Sequence, residues 1–404
     1  MTTDDTITIR TATEDDWDAI ALLDAHAFGE HQNSDDMAET KLLTASSEIY
    51  LACDGDLPVG VTMHFPMDVT VPGGATLPAT GVSWVSVAPT HRRRGILRRM
   101  FTAQHERFEA AGKPLSVLTA SEATIYERFG YGAATQGVDY TIDRRFTAFR
   151  KELPPPRGAR LVTSEEARTL LPDIYSRWQR QTAGAQPMPP TRWHRFFADR
   201  KNSRGGFSKL FFIVHPDGYI AFRRGYRVGT AGAQEARIVD IIAATDEARS
   251  DLWQVMCGID LVETIEVTLP VGDPLLTLLT DRRVPAVTGV KDGLWVRLMD
   301  VPAALSARTY AIDTDLTIGV EDPFLNAGGA FRFVSRDGHA EVTRTDADPD
   351  VTVSSSVLGS MYLGAHRARQ FAAAGRVAAT SEKALHEFDL VFGTPSQPQI
   401  GWHF

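Results

Sequence analysis

Cysteine is nearly absent from this chain: two in 404 residues, Cys53 and Cys257, at no motif spacing. That excludes a disulfide framework and a thiolate metal site, so no metal is expected, and a reducing, cytoplasmic compartment is. Long apolar runs are missing too. No stretch approaches the ~18 residues a membrane-spanning helix needs, and residues 1–10 have no apolar centre of the signal-peptide kind. Nor is there an excess of positive charge. Lys and Arg total 42 against 51 Asp and Glu, a net −9, whereas a nucleic-acid partner calls for a basic face. The acidic balance suits a cationic partner instead, or solubility alone. Internal repeats and low-complexity tracts are lacking.

What remains is an ordinary globular composition, 43% apolar and 23% charged. At about 150 residues per domain the length suggests two or three domains. Pro154, Pro155 and Pro156, followed by Gly158, break any helix and read as a linker. A second break falls near Asp300, Val301 and Pro302. These divide the chain into 1–150, 151–300 and 301–404. In the first part, strand-like runs at 7–9, 49–53, 60–66, 81–87 and 115–119 alternate with helical patterns at about 15–27, 96–111 and 124–129. This mixed order predicts an α/β sandwich.

The segment from Val82 to Met100 carries the chemistry. A strand ends at Val87, a turn follows, and a helix begins at about Gly95. Arg92, Arg93, Arg94, Arg98 and Arg99 surround that helix start. A helix N-terminus already carries partial positive charge, so each cation there is unfavourable by ~0.3–1 kcal/mol. The arrangement makes sense if an anion sits on the exposed N–H groups, with Gly95 letting the backbone come close. The matching turn of the central part reads Ala244-Thr245-Asp246-Glu247, with a cap and two acids. It obeys the dipole rule and would repel a phosphate.

Arg92-x-x-Gly95-x-Leu97 resembles the pyrophosphate loop of the GNAT superfamily of N-acetyltransferases, usually Q/R-x-x-G-x-G/A, with Leu97 departing from it. The Arg92-Arg93-Arg94-Gly95-Ile96-Leu97 run, the segments 120–132 and 357–368, the segment after Asp292, the Val301-Pro302 start and the terminal Phe404 are together similar to one branch, the Eis (enhanced intracellular survival) acetyltransferases. The likeness covers nearly the whole chain. It implies a three-domain subunit: a catalytic GNAT domain, a central GNAT-like domain, which the acids Asp246 and Glu247 leave without coenzyme, and a domain with the sterol carrier protein fold that supplies the terminal carboxylate. The resemblance also implies acetyl-CoA as cosubstrate, a homohexamer, and amines of aminoglycosides as acceptors.

Carried onto these positions, the resemblance places the pantetheine arm along Val85, Ser86 and Val87. The pyrophosphate falls among Arg92, Arg93, Arg94, Gly95, Ile96, Leu97 and Arg98, with Ser121 and Glu122 beyond the next strand. It makes Tyr126 the general acid and the Phe404 carboxylate the general base. A structural alternative stands beside each: Tyr126 as a core aromatic, and Phe404 as a frayed tail. The acidic segment with Glu30, Asp35, Asp36 and Glu39 reads either as a solvated loop or as one wall of an acceptor pocket, with Phe28 and Trp84 as further walls. Family pockets have an acid beside the terminal aromatic; here the residue is His403. Three functions follow: an aminoglycoside or polyamine N-acetyltransferase; a GNAT enzyme for protein lysine or another small amine; a non-catalytic lipid-binding or scaffold protein.

Overall fold

The computed structural model describes residues 6–29, 34–226 and 234–404. They form two compact units, one of Met1–Ala134, Leu294–Pro395 and Trp402–Phe404, the other of Thr135–Gly293 and Ser396–Gly401.

The first unit opens with β1 (Ile7–Thr11), α1 (Trp17–Phe28), α2 (Ser34–Leu43), β2 (Glu48–Asp54), β3 (Leu57–Thr70), β4 (Thr76–Val87), α3 (Ile96–Ala110), β5 (Leu115–Thr119) and β6 (Gly132–Ala133). In the second unit come β7 (Gln136–Asp143), β8 (Arg160–Val162), α4 (Ser164–Gln179), α5 (Pro190–Ala198), β9 (Phe211–His215), β10 (Gly218–Tyr226), β11 (Gln234–Ala243), α6 (Asp246–Cys257), β12 (Val262–Pro270), α7 (Leu275–Leu278) and β13 (Pro285–Asp292). The chain then returns to the first unit with β14 (Leu294–Leu298), α8 (Val301–Ser306), β15 (Thr314–Glu321), β16 (Gly329–Arg336), β17 (His339–Thr345), β18 (Val351–Ser354), α9 (Ser355–Met361), α10 (Ala368–Ala373), β19 (Val377–Ala379) and α11 (Glu382–Val391).

The return strand matters most. The first sheet runs β1-β2-β3-β4-β5-β14-β6, so β14 slots between β5 and β6. All five of its residues are buried, as a central strand requires. The second sheet runs β13-β7-β12-β11-β10-β9-β8. The change of sheet therefore falls at Thr135, and the proline run at 154–156 lies inside the second unit. The third sheet, β17-β16-β15-β18-β19, belongs to the first unit. There α9 packs straight onto β14: a Cβ on Gly359 would lie 2.1 Å from the Val296 carbonyl oxygen, so only glycine allows that approach.

Between α3 and the first sheet lies an aromatic core of Phe101, Phe108, Phe129, Tyr131 and Trp295. His105 is wholly buried in it. Its Nδ1–H donates to the Phe101 carbonyl at 2.7 Å, which leaves Nε2 to accept from the Tyr131 hydroxyl at 2.8 Å. Ser116 Oγ then donates to Tyr131 Oη at 2.6 Å. Tyr131 is a packing residue with satisfied polar ends.

Candidate active site

The cleft originates in an irregularity of β4. Its register with β3 is regular from Thr76 to Ser83, then jumps so that Met63 pairs with Ser83 and Val61 with Ser86. Trp84 and Val85 thus oppose the single Thr62, and Trp84 takes a left-handed φ of 52°. A bulge of this kind bends its strand. On the other edge β5 pairs only with Ala79 to Val82. From Ser83 to Val87 that edge of β4 faces a gap instead of a strand. The gap is the mouth of a cleft of about 1140 Å³.

One end of the cleft is the start of α3. Gly95 caps it with φ 78°, no side chain caps it, and no acid stands in its first turn. A Cβ at Gly95 would meet nothing within 4 Å. Glycine is required there by the left-handed backbone, and the space above it is open. Arg92, Arg93 and Arg98 line the cleft with Ile96 and Leu97. The other two arginines turn away. Arg94 reaches Asp54 at 3.4 Å, a carboxylate that His91 also approaches at 3.3 Å. Arg99 donates to the Ile7 carbonyl. Arg94 thus braces the turn against β2 and does not face the cleft.

Val85, Ser86 and Val87 line the cleft, and the buried Ser86 hydroxyl has no hydrogen-bond partner among the described residues. An orphaned hydroxyl on a free strand edge, beside open helix N–H groups and three arginines, suits a ligand with an amide-bearing arm and a polyphosphate. Acetyl-CoA has both, so the residues fit it.

At the other end, β5 leads to Ser121, Glu122 and Tyr126, all lining the cleft. The expected helix over 124–129 is two short 3₁₀ turns, Ala123–Ile125 and Glu127–Phe129, hinged at Tyr126 and stopped by Gly130. Tyr126 is buried against Phe101, with ring centroids 6.2 Å apart. Burial, with a smaller contribution from Glu122, pushes its phenol up from 10 to about 12. The main-chain oxygen of Phe404 accepts from Thr119 Oγ1 at 2.5 Å, at the end of β5. The Phe404 ring packs edge-on against Phe65 and Trp402, each at 5.4 Å. Phe404 is therefore held, and it borders the same cleft as Tyr126.

Phe28 and Trp84 line the cleft as well. His403 is exposed and does not line it. Asp35 and Asp36 fall on α2, and their side chains, like Glu30, lie outside the described residues. Sequence reasoning missed Asp24. It faces the cleft from α1 one helical turn before Ala27 and Phe28, and that i, i+3, i+4 spacing was the available signal. Thr119 and Arg128 also line the cleft unforeseen.

In the second unit the matching helix start is built differently. Thr245 caps α6, accepting from the Ala248 amide at 3.2 Å, and Asp246 and Glu247 fill the first turn. The buried Arg249 then pairs with Asp273, beyond β12, through Nε at 2.8 Å. Its Nη1 donates to the Ile241 carbonyl of β11 at 3.0 Å. A side chain thus occupies the strand edge that stays free on β4. Among the described residues, no group of three or more His, Cys, Asp or Glu could hold a metal ion. No helix among them is long and apolar enough to cross a membrane.

Known proteins bear on this arrangement. Residues 8–134 and 184–298 each match an acetyltransferase (GNAT) domain, and residues 301–401 a sterol carrier protein domain. The chain is 38% identical to the N-acetyltransferase Eis of Mycobacterium tuberculosis, covering 99% of this chain and 100% of the relative. It is 33% identical to an uncharacterized N-acetyltransferase of Streptomyces avermitilis, over 99% of both chains. Among solved structures, Eis1 from Mycobacterium abscessus superposes with a TM-score of 0.86 at 32% identity, covering 98% of this chain and 100% of that one. A GCN5-related N-acetyltransferase from Anabaena variabilis, 20% identical with a TM-score of 0.82, shares the fold. With tandem GNAT domains, a sterol-carrier-like third domain and full-length identity to its members, this chain belongs to the Eis family of acetyl-CoA-dependent N-acetyltransferases.

Proposed function

We propose that the chain acetylates amines of aminoglycosides or similar polycationic amines by direct transfer in a ternary complex. The observation that carries this reading is the meeting of Tyr126, Asp24 and the Phe404 terminus on one cleft whose far end is the arginine-lined start of α3. Acetyl-CoA, when bound, supplies the thioester carbon that the amine attacks. Arg92, Arg93, Arg98 and the first N–H groups of α3 hold the phosphates, and the free edge of β4 with Ser86 orients the arm. Tyr126 would serve as general acid to the leaving thiolate. With its phenol at about 12, complete transfer to a thiolate whose acid has pKa ~8.5 is uphill by ~5 kcal/mol. The hydrogen bond itself then contributes much of the stabilisation, and the proton passes late. The Phe404 carboxylate acts as general base, steadied by Thr119. Because a free terminal carboxyl titrates at ~3.5 and an alkylammonium near ~10, it first holds and orients the ammonium, with Asp24 as a second anchor.

The proposal includes a cytoplasmic homohexamer, no metal requirement, and neither nucleic acid nor membrane as partner. Light scattering should give six times the 44.4 kDa chain mass; a 44.4 kDa species contradicts it. The function is tested by thiol release from acetyl-CoA against aminoglycosides, polyamines and lysine peptides. Aminoglycosides or polyamines should turn over fastest. Preference for lysine peptides would move the assignment to a protein-lysine acetyltransferase, and no release with any amine would overturn it. Tyr126→Phe should lower kcat at least ~10-fold with acetyl-CoA affinity kept.

A further inference from the structure

The turn after β15 reaches from the third sheet into the core of the first. Asp322 builds that turn: its carboxylate accepts from the Phe324 amide at 3.2 Å and the Leu325 amide at 3.4 Å. The same carboxylate pairs with Arg297 of β14, a guanidinium that is itself buried. So fixed, the Phe324 side chain enters the aromatic core under α3 and is 7% exposed. It meets Phe129 edge-on at 5.0 Å, at the end of the Tyr126 turn, and His105 at 5.4 Å. Two guanidinium groups lie against its ring, Arg297 at 5.6 Å and Arg98 at 5.5 Å.

Arg98 is the informative contact. It is exposed and lines the cleft. A long side chain in water samples many rotamers and loses that freedom when it binds a phosphate. An aromatic face set beneath it by a rigid turn restricts it in advance. Arg94 and Arg99 are restricted by other means, through Asp54 and the Ile7 carbonyl. We propose that Phe324, contributed by the C-terminal part of the chain, is a positioning residue of the acetyl-transfer site that holds Arg98 ready for the coenzyme's phosphates. The sterol-carrier-like domain then completes the coenzyme site as well as supplying the chain end. This rests on the reading of Arg98 as a phosphate ligand.

The experiment replaces Phe324 by di- and trifluorophenylalanine, which keep the ring's shape and drain its negative face. Calorimetry with acetyl-CoA on the full chain should show affinity falling stepwise, by about 2- to 5-fold in all for an exposed cation–π contact. The kcat with saturating acetyl-CoA should stay unchanged, since Tyr126 keeps its support. A ring needed only for packing would leave affinity unmoved. The Arg98→Ala variant separates the two claims. It should weaken acetyl-CoA binding, and fluorination in that background should have no further effect. If Arg98→Ala binds normally, the phosphate reading fails. If it weakens binding while fluorination does nothing in the natural background, or acts equally in both, the positioning role of Phe324 is wrong. Phe324→Leu, which removes the π face with a smaller volume change than alanine, checks the same loss without the fluorinated residues.

Discussion

Gly95 shows what one residue fixes. Its φ of 78° turns the chain from β4 into α3, and the space above it is empty. A valine there would strain the backbone and stand in the proposed phosphate site. Gly95→Val should abolish acetyl-CoA binding by calorimetry while circular dichroism stays unchanged; retained affinity would remove the phosphate from this turn. The arginines around it were legible as a group from the dipole rule. Their division of labour was not, because Arg94 meets Asp54 some 40 residues away. His105 offers a test of the core behind the site. Burial, and then the nearby Arg297, hold its imidazole down at about 3 against an ordinary 6.5. The ring stays neutral when folded and charges when unfolded. Stability is therefore present above pH 6.5 and lost as pH falls from there towards 3. By pH 5 the loss amounts to ~2 kcal/mol. Denaturant unfolding of His105→Gln should show a pH 7.5-to-5 decline smaller by about that much; an equal decline in both proteins would contradict the buried neutral ring.

Elements were legible where the signal is local. β5 has the boundaries read from the sequence, and Thr245 caps α6 as its position before two acids implies. The stretch 124–129 misled because its spacing suits one turn of either helix type, and the hinge at Tyr126 is set by packing on Phe101 and Trp295. The bulge at Trp84 left no trace in a continuous strand-like run. Contrast between the two GNAT-like helix starts was the most telling local signal, and the structure adds Arg249 across the second one. The second unit should accordingly bind no coenzyme. Titration with acetyl-CoA should saturate at one per chain, and a stoichiometry of two would show that the Arg249–Asp273 pair yields to the ligand.

On the scale of the whole molecule, the sequence announced three parts but not how the chain shares its strands. Residues 294–298 fall at the end of the 151–300 part, yet β14 completes the first sheet, and β7, inside the 1–150 part, joins the second. Alternation of residues identifies a strand and says nothing of its neighbour in space. Likewise only the fold brings Phe404 to Thr119, 285 residues away. That contact is the one on which the account of catalysis most depends. One added glycine moves the terminal charge by ~3.5 Å, and misplacing a catalytic group by ~1 Å can cost ~100-fold in rate. The decisive measurement is amine-dependent thiol release by a chain extended at Phe404, against the same extension at Met1, with acetyl-CoA affinity measured for both. Extension at Phe404 should lower turnover ~100-fold and leave affinity intact; equal turnover by the two proteins would mean that the terminal carboxylate takes no part in the reaction.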